Sequence, residues 1–173
     1  MPVFPDVATG PPLVVEATYR RLTGDTASTP EAVIAALADA QALLQDALRR
    51  PLESAQRVEA VRVWADGLAY PLATPITVVP AGMTVEGHGV RGVPYEGLLG
   101  VLTYTGGWTA LTLPMTLTAA LSVVAYDLLH PDRSLVGARS YAVGDVSVTR
   151  GADDETSAPE WGRDVLAYRR RDI

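Results

Sequence analysis

A chain of 173 residues, 48% hydrophobic and 20% charged, has room for one domain with a substantial core and is too apolar to stay disordered. Its formal net charge of −6, from 20 acidic and 14 basic residues, lacks the basic footprint of a protein that grips phosphates. The absence of cysteine excludes disulfides, thiolate metal sites and cysteine nucleophiles.

No apolar run approaches the roughly 20 residues that cross a bilayer, so no membrane segment is expected. The amino end, MPVFPDVATGPPLVVEATYR, has no basic region leading into an apolar one, and no signal peptide is expected. Residues 1–27, rich in Pro, Gly and Thr, predict an extended arm with a strand or turn at 12–22. Helix signals follow in ASTPEAVIAALADAQALLQDALRRPLE. Thr29 can cap, Pro30 suits the first helical position, and Glu31 places negative charge against the positive end of the helix dipole. Val33, Leu37, Ala40, Leu44 and Leu48 recur at helical spacing, Arg49 and Arg50 complement the carboxyl end, and Pro51 stops the helix.

From 57 to 80 the pattern becomes β-like. RVEAVRVW and LAYPLATPITVV flank Ala65-Asp66-Gly67, and Asp66-Gly67 between such runs predicts a hairpin turn with positive φ at both central positions. Pro71, Pro75 and Pro80 cannot donate to a ladder, so the return run should be an edge or broken by bulges. Residues 81–97 hold five of the 15 glycines and predict a long loop or flexible hairpin. GLLGVLTYT and WTALTL are two further β-prone runs, and Gly106-Gly107 between them predicts a second two-residue turn. Pro114 opens a second helix, PMTLTAALSVVAYDLLH, with Leu117, Leu121, Val124 and Leu128 as its apolar stripe. One strand-like piece, Val143 to Val148, and a terminal segment, PEWGRDVLAYRRR, complete an α+β chain. The expected architecture is two main helices packed together, an inserted β-hairpin or small-sheet region, and extended N- and C-terminal arms. Its parts are an arm at 1–27, a central domain at 28–148 and an arm at 149–173.

The chemistry-bearing residues are sparse. A phosphate cradle needs a strand, a Gly-rich turn and a helix amino terminus, whereas Gly106-Gly107 leads into another β-prone run and the chain has no lysine. His88 and His130 are the only histidines, too few for a usual zinc site, and surface or helix-cap roles are expected. The Asp153, Asp154, Glu155 run lies in a polar loop without calcium-loop spacing and reads as a solvated face. No metal, cofactor or catalytic residue is expected. Trp64, Trp108 and Trp161 read as packing residues.

The order of pieces carries more information than any one of them. A capped Ala/Leu helix ends in RRPLE, followed by RVEAVRVWADGLAYPLATPI, YTGGW, LPMTLTAALSVVAYDLL and a late SYAVGDVSVT. From about Ser28 to Val148 this order resembles the head-to-tail connector, or adaptor, proteins of long-tailed phages. The β region from Arg57 to Leu113 is longer than in the compact members of that family. The resemblance implies a virion part without enzymatic activity: a homo-oligomeric ring, about twelve copies around a closed symmetry axis, placed below the portal. It would present a docking surface to head-closure or tail proteins, with DNA passing through its channel without sequence-specific binding. It also implies that the carboxyl-terminal segment reaches the portal, which makes Trp161 and Tyr168 candidate anchors and Arg169, Arg170 and Arg171 candidate partners for acidic groups. Two other readings stand beside it: another neck protein, either head closure or tail terminator, and a small metal-dependent hydrolase using Asp66, Asp127 or the Asp153–Glu155 run.

Overall fold

Three helices and several short antiparallel strands make up the α+β fold of this protein, seen in a computed structural model that describes residues 11–131, 140–143 and 146–149. The elements fall into two compact units, one holding the helices and the other formed by the segment Arg50–Thr112.

In the helical unit, α1 spans Glu16–Thr23, α2 Pro30–Leu48 and α3 Met115–Leu129. A hairpin of β8 (Ser140–Val143) and β9 (Val146–Thr149) follows, so the single strand expected over 143–148 is two strands. Helix α1 replaces the strand or turn expected at 12–22. Prolines and paired valines before it suggested extended chain, but Glu16 sits in the first turn, bonded to Arg20 one turn on at 2.6 Å. Gly24 at φ 71° closes the other end, its N–H donating to the Arg20 carbonyl. Eight residues are too few to hold a helix alone; burial of Tyr19 and Leu22 supplies the rest.

Helix α2 follows its sequence signals closely. The Thr29 hydroxyl accepts from the Ala32 N–H at 3.3 Å, and Val33, Ala36, Leu37, Ala40, Leu44 and Leu48 are buried. It ends at Arg49 in the left-handed region, two residues before Pro51. In α3 the buried face is wider than the expected stripe: Ala120, Ser122, Val123 and Ala125 join Leu117, Leu121 and Val124, while Leu128 is exposed. Ser122 is accommodated inside because its hydroxyl donates to the Thr118 carbonyl.

In the other unit, β1 (Ala55–Arg62) pairs along its whole length with β7 (Leu99–Gly106), from Ala55 opposite Gly106 to Arg62 opposite Leu99. On the other side of β7 lie β3 (Ile76–Val78), shifted in register between Ile76 and Val78, and β6 (Tyr95–Glu96). A second sheet orders β2 (Leu68–Ala69), β5 (Gly89–Arg91) and β4 (Thr84–Glu86). The run after Asp66-Gly67 is therefore not the main partner of β1. Prolines break it into β2 and β3, leaving the uninterrupted GLLGVLTYTG to pair with β1. Val61, Val63, Ala69, Val90, Leu102 and Tyr104 lie at the centre of this unit's core.

Candidate interaction surface

Strand alternation gives the main sheet two faces, each apolar in part: Arg57 and Glu59 share the inner one, and Gln56, Thr103 and Thr105 the outer. Inward lie Val61, Leu102 and Tyr104. Outward, β1 shows Val58 and Ala60, β7 shows Leu99 and Val101, and β3 adds Val78 opposite Thr105. Val58 is 69% exposed and Val101 64%. Charge is confined to one end, where Arg62 and Glu96 stand opposite Leu99 on its two sides. Arg62 also stacks on Trp64, its guanidinium carbon 4.5 Å from the ring centre. The sequence carried a signal for this face: GLLGVL is continuously apolar rather than alternating, as in strands covered on both sides.

The inner face is pinned by a polar contact. The Tyr104 hydroxyl donates to Glu59 Oε2 at 2.8 Å and accepts from the Ala73 N–H at 3.0 Å. Burial, with the Glu59 carboxylate beside it, pushes this phenol well above its usual pKa, so it stays a neutral donor. Tyr104→Phe is expected to cost about 1–2 kcal/mol in chemical denaturation, because the Ala73 N–H loses its hydroxyl partner.

The turn residues divide. Asp66-Gly67 does form a tight turn: Gly67 N–H donates to the Trp64 carbonyl at 2.8 Å, and Trp64 N–H to the Leu68 carbonyl at 2.9 Å. Only Gly67 has positive φ, at 80°, and the Asp66 carboxylate accepts from the Leu68 N–H. That is a three-residue loop with glycine in the left-handed position rather than the two-residue turn expected. Gly106-Gly107 is no hairpin turn. Gly106 is the last residue of β7, and Trp108 bridges in parallel to Glu53. These glycines are spacers: a Cβ on Gly106 would lie 2.4 Å from the Ala73 carbonyl oxygen, and one on Gly107 would lie 2.2 Å from that of Glu53. Their neighbour Trp108 carries the Arg50 guanidinium over its ring at 4.7 Å.

A second polar feature lies in the helical unit, and sequence reasoning missed it. Asp25, between α1 and α2, is buried, and its Oδ2 accepts from the Tyr19 hydroxyl at 2.8 Å. Its Oδ1 accepts from the Ala27 and Ser28 N–H groups. His130 caps α3 through its N–H to Tyr126, as a cap role requires, but its ring meets side chains instead of free carbonyls. Its Nε2 lies 3.1 Å from Asp25 Oδ2 and 3.3 Å from Ser28 Oγ. Burial works to raise the Asp25 pKa, yet hydrogen bonds from Ser28, His130 and Tyr19 overcome it and hold the carboxyl far below its ordinary range. Burial and then the Asp25 carboxylate push the Tyr19 phenol up.

This Ser, His and Asp cluster does not have the geometry of a nucleophile relay. A relay places the carboxylate on one ring nitrogen and the hydroxyl on the other, whereas here one nitrogen meets both. The cluster is a staple between the α1–α2 loop and the end of α3. His88 lies exposed in the β4–β5 turn. Among the described residues no three His, Asp or Glu side chains group to hold a metal ion, and no helix is long and apolar enough to cross a membrane. Trp161, Tyr168, Arg169, Arg170, Arg171 and the Asp153–Glu155 run lie outside the described residues. No protein-family profile matches this chain, and no curated protein matches it.

Proposed function

We propose that this chain is a structural part of a phage neck, one copy of a homo-oligomeric ring that joins the portal of the DNA-filled head to the head-closure or tail proteins. The observation that carries the proposal is the uncovered apolar sheet face. Contiguous aliphatic surface of this kind marks a place that another protein covers, and Val58, Ala60, Leu99 and Val101 supply it here. The order of motifs from Ser28 to Val148 supports the same reading, with α2 and α3 as the ring body and Arg50–Thr112 as its inserted β region.

In this role the protein needs no cofactor and carries out no reaction. Net charge of −6 disfavours tight contact with DNA, which suits a channel through which DNA slides. The segment 159–171 reaches the portal, with Trp161 and Tyr168 as apolar anchors and Arg169, Arg170 and Arg171 meeting carboxylates.

The test is to mix the full chain with a portal ring from the same virus and determine mass and symmetry by native mass spectrometry and negative-stain imaging. A complex of about twelve copies on one portal ring is expected. Truncation after Ala158 should leave a folded protein that no longer joins the portal. Normal docking by the truncated protein would discard the role given to segment 159–171, and failure of the full chain to join the portal would discard the neck assignment itself.

A further inference from the structure

Strand β1 has a neighbour along one edge only. The Val63 N–H donates to the Leu98 carbonyl at 2.9 Å, in step with the unbroken β1–β7 register, so Arg57, Glu59 and Val61 direct their backbone groups at β7. The N–H and C=O groups of Gln56, Val58 and Ala60 therefore point the other way. Among the described residues no strand pairs with them: β1 is last in its sheet, and the chain before β3 meets this edge only at Val63, opposite Ala69. An edge of this kind is a template for another strand, and the stretch 56–60 holds no proline to blunt it.

We propose that this edge pairs, antiparallel, with the same edge of a second copy, about a two-fold axis at Val58. Backbone hydrogen bonding requires the outward residues of one copy to stand opposite the outward residues of the other, and charge then selects the register. With Val58 opposite Val58, Arg57 of each copy faces Glu59 of the other at non-hydrogen-bonded positions, where side chains come closest, and about six inter-strand hydrogen bonds form. A slip of two residues one way sets Arg57 opposite Arg57, and the other way sets Glu59 opposite Glu59; both are repulsive. The open stretch is complementary to itself, and that identifies its occupant as another copy of this chain. The axis is normal to the sheet, so Val58 and Ala60 carry the outer aliphatic patch of one copy into that of the next. Existing bonds leave room for the new pairs. Arg57 reaches Glu53 through Nη2 at 3.2 Å, while its Nε is buried with no acceptor among the described residues. Glu59 accepts from the Leu72 N–H and the Tyr104 hydroxyl, and a carboxylate has about four acceptor sites. The contact is isologous and closes on two copies. It describes the free chain and does not rest on the ring reading, since a cyclic ring is built from head-to-tail contacts.

The chain has no cysteine, so a single introduced thiol reports on this contact alone. Val58→Cys sets two thiols across the axis, on a pair whose Cα atoms would lie about 5.5 Å apart, within the span of a disulfide. Mild oxidation of the full chain should give covalent dimers in native buffer and few in denaturant. Val101→Cys, similarly exposed on the outer face of β7, is the control and should stay monomeric. The second measurement is sedimentation over a range of concentrations, in which wild type should pass from monomer to dimer. Val58→Pro removes only an outward N–H, leaving the β1–β7 ladder whole, and should weaken the dimer about tenfold or more. Val58→Thr retains that N–H and should dimerise like wild type. The inference is overturned if wild type stays monomeric at every concentration, if Val58→Pro dimerises like wild type, or if Val58→Thr loses as much as Val58→Pro. It is also overturned if Val101→Cys crosslinks as readily as Val58→Cys, which would signify sheets stacked on their faces. Should Val58→Pro fail to fold, the two cysteine variants decide the matter. A crosslinked pair with no portal binding retains this contact and discards the neck assignment, whereas portal binding without crosslinking discards the contact alone.

Discussion

Gly107→Ala should destabilise the Arg50–Thr112 unit by roughly 3–5 kcal/mol, seen as a fall of about 10 °C or more in Tm or as failure to yield soluble protein. Two costs combine at this position. Its φ of 110° lies where L side chains are strained, and the added Cβ would meet the Glu53 carbonyl oxygen at 2.2 Å and the Leu52 carbonyl oxygen at 2.8 Å. Neither obstacle can swing aside, because both carbonyls belong to backbone tied to Trp108: the Trp108 N–H donates to Leu52 at 2.7 Å and the Ser54 N–H to the Trp108 carbonyl at 2.8 Å. Gly97 provides the control. It also has positive φ, at 66°, but open space where a Cβ would go. Gly97→Ala should therefore cost only about 1 kcal/mol. Equal Tm changes for the two variants would show that the close approach at Gly107 contributes nothing.

Asp25→Ala should be the most damaging change in the helical unit, about 3–5 kcal/mol, because the Tyr19 hydroxyl and the Ala27 and Ser28 N–H groups would lose their acceptor in a buried setting. Asp25→Asn retains an acceptor of the same shape and should cost less. It also isolates the charge. The folded-state pKa of Asp25 is lowered from the ordinary 3.8, so its ionised form favours the fold. That contribution is fully present above about pH 4 and is lost as pH falls toward the folded-state value. Wild type should thus lose stability on acidification more steeply than Asp25→Asn, measured by denaturant midpoints at successive pH values below neutrality. Parallel profiles would show that Asp25 contributes through shape alone.

What the sequence made legible depends on how local the cause is. Helix α2 was readable because its signals sit in its own residues: the Thr29 cap, Pro30 at the first position and the spacing from Val33 to Leu48. Helix α1 was not, since its stability comes from burial of Tyr19 and Leu22, and proline-rich flanks masked its short run. The Gly106-Gly107 pair shows the limit more sharply. Two glycines between β-prone runs look alike whether they turn the chain or let another strand come close, and only the carbonyls of Ala73 and Glu53, distant in sequence, decide it. The partner of β1 is hidden for a related reason: proximity in sequence favours the nearer run, whereas the unbroken one pairs with it. Of the surface features, the outer sheet face is half visible, in the continuous apolar run of β7. The Asp25 staple was not, because its members at Tyr19, Ser28 and His130 share no periodicity.

The backbone of Leu52–Ser54 runs alongside Trp108, so the β unit departs and returns through one stitched pair of strands. A module whose two ends are already fastened together asks little of its host beyond two adjacent attachment points. Such a cassette can lengthen, shrink or be exchanged without rerouting the flanking helices.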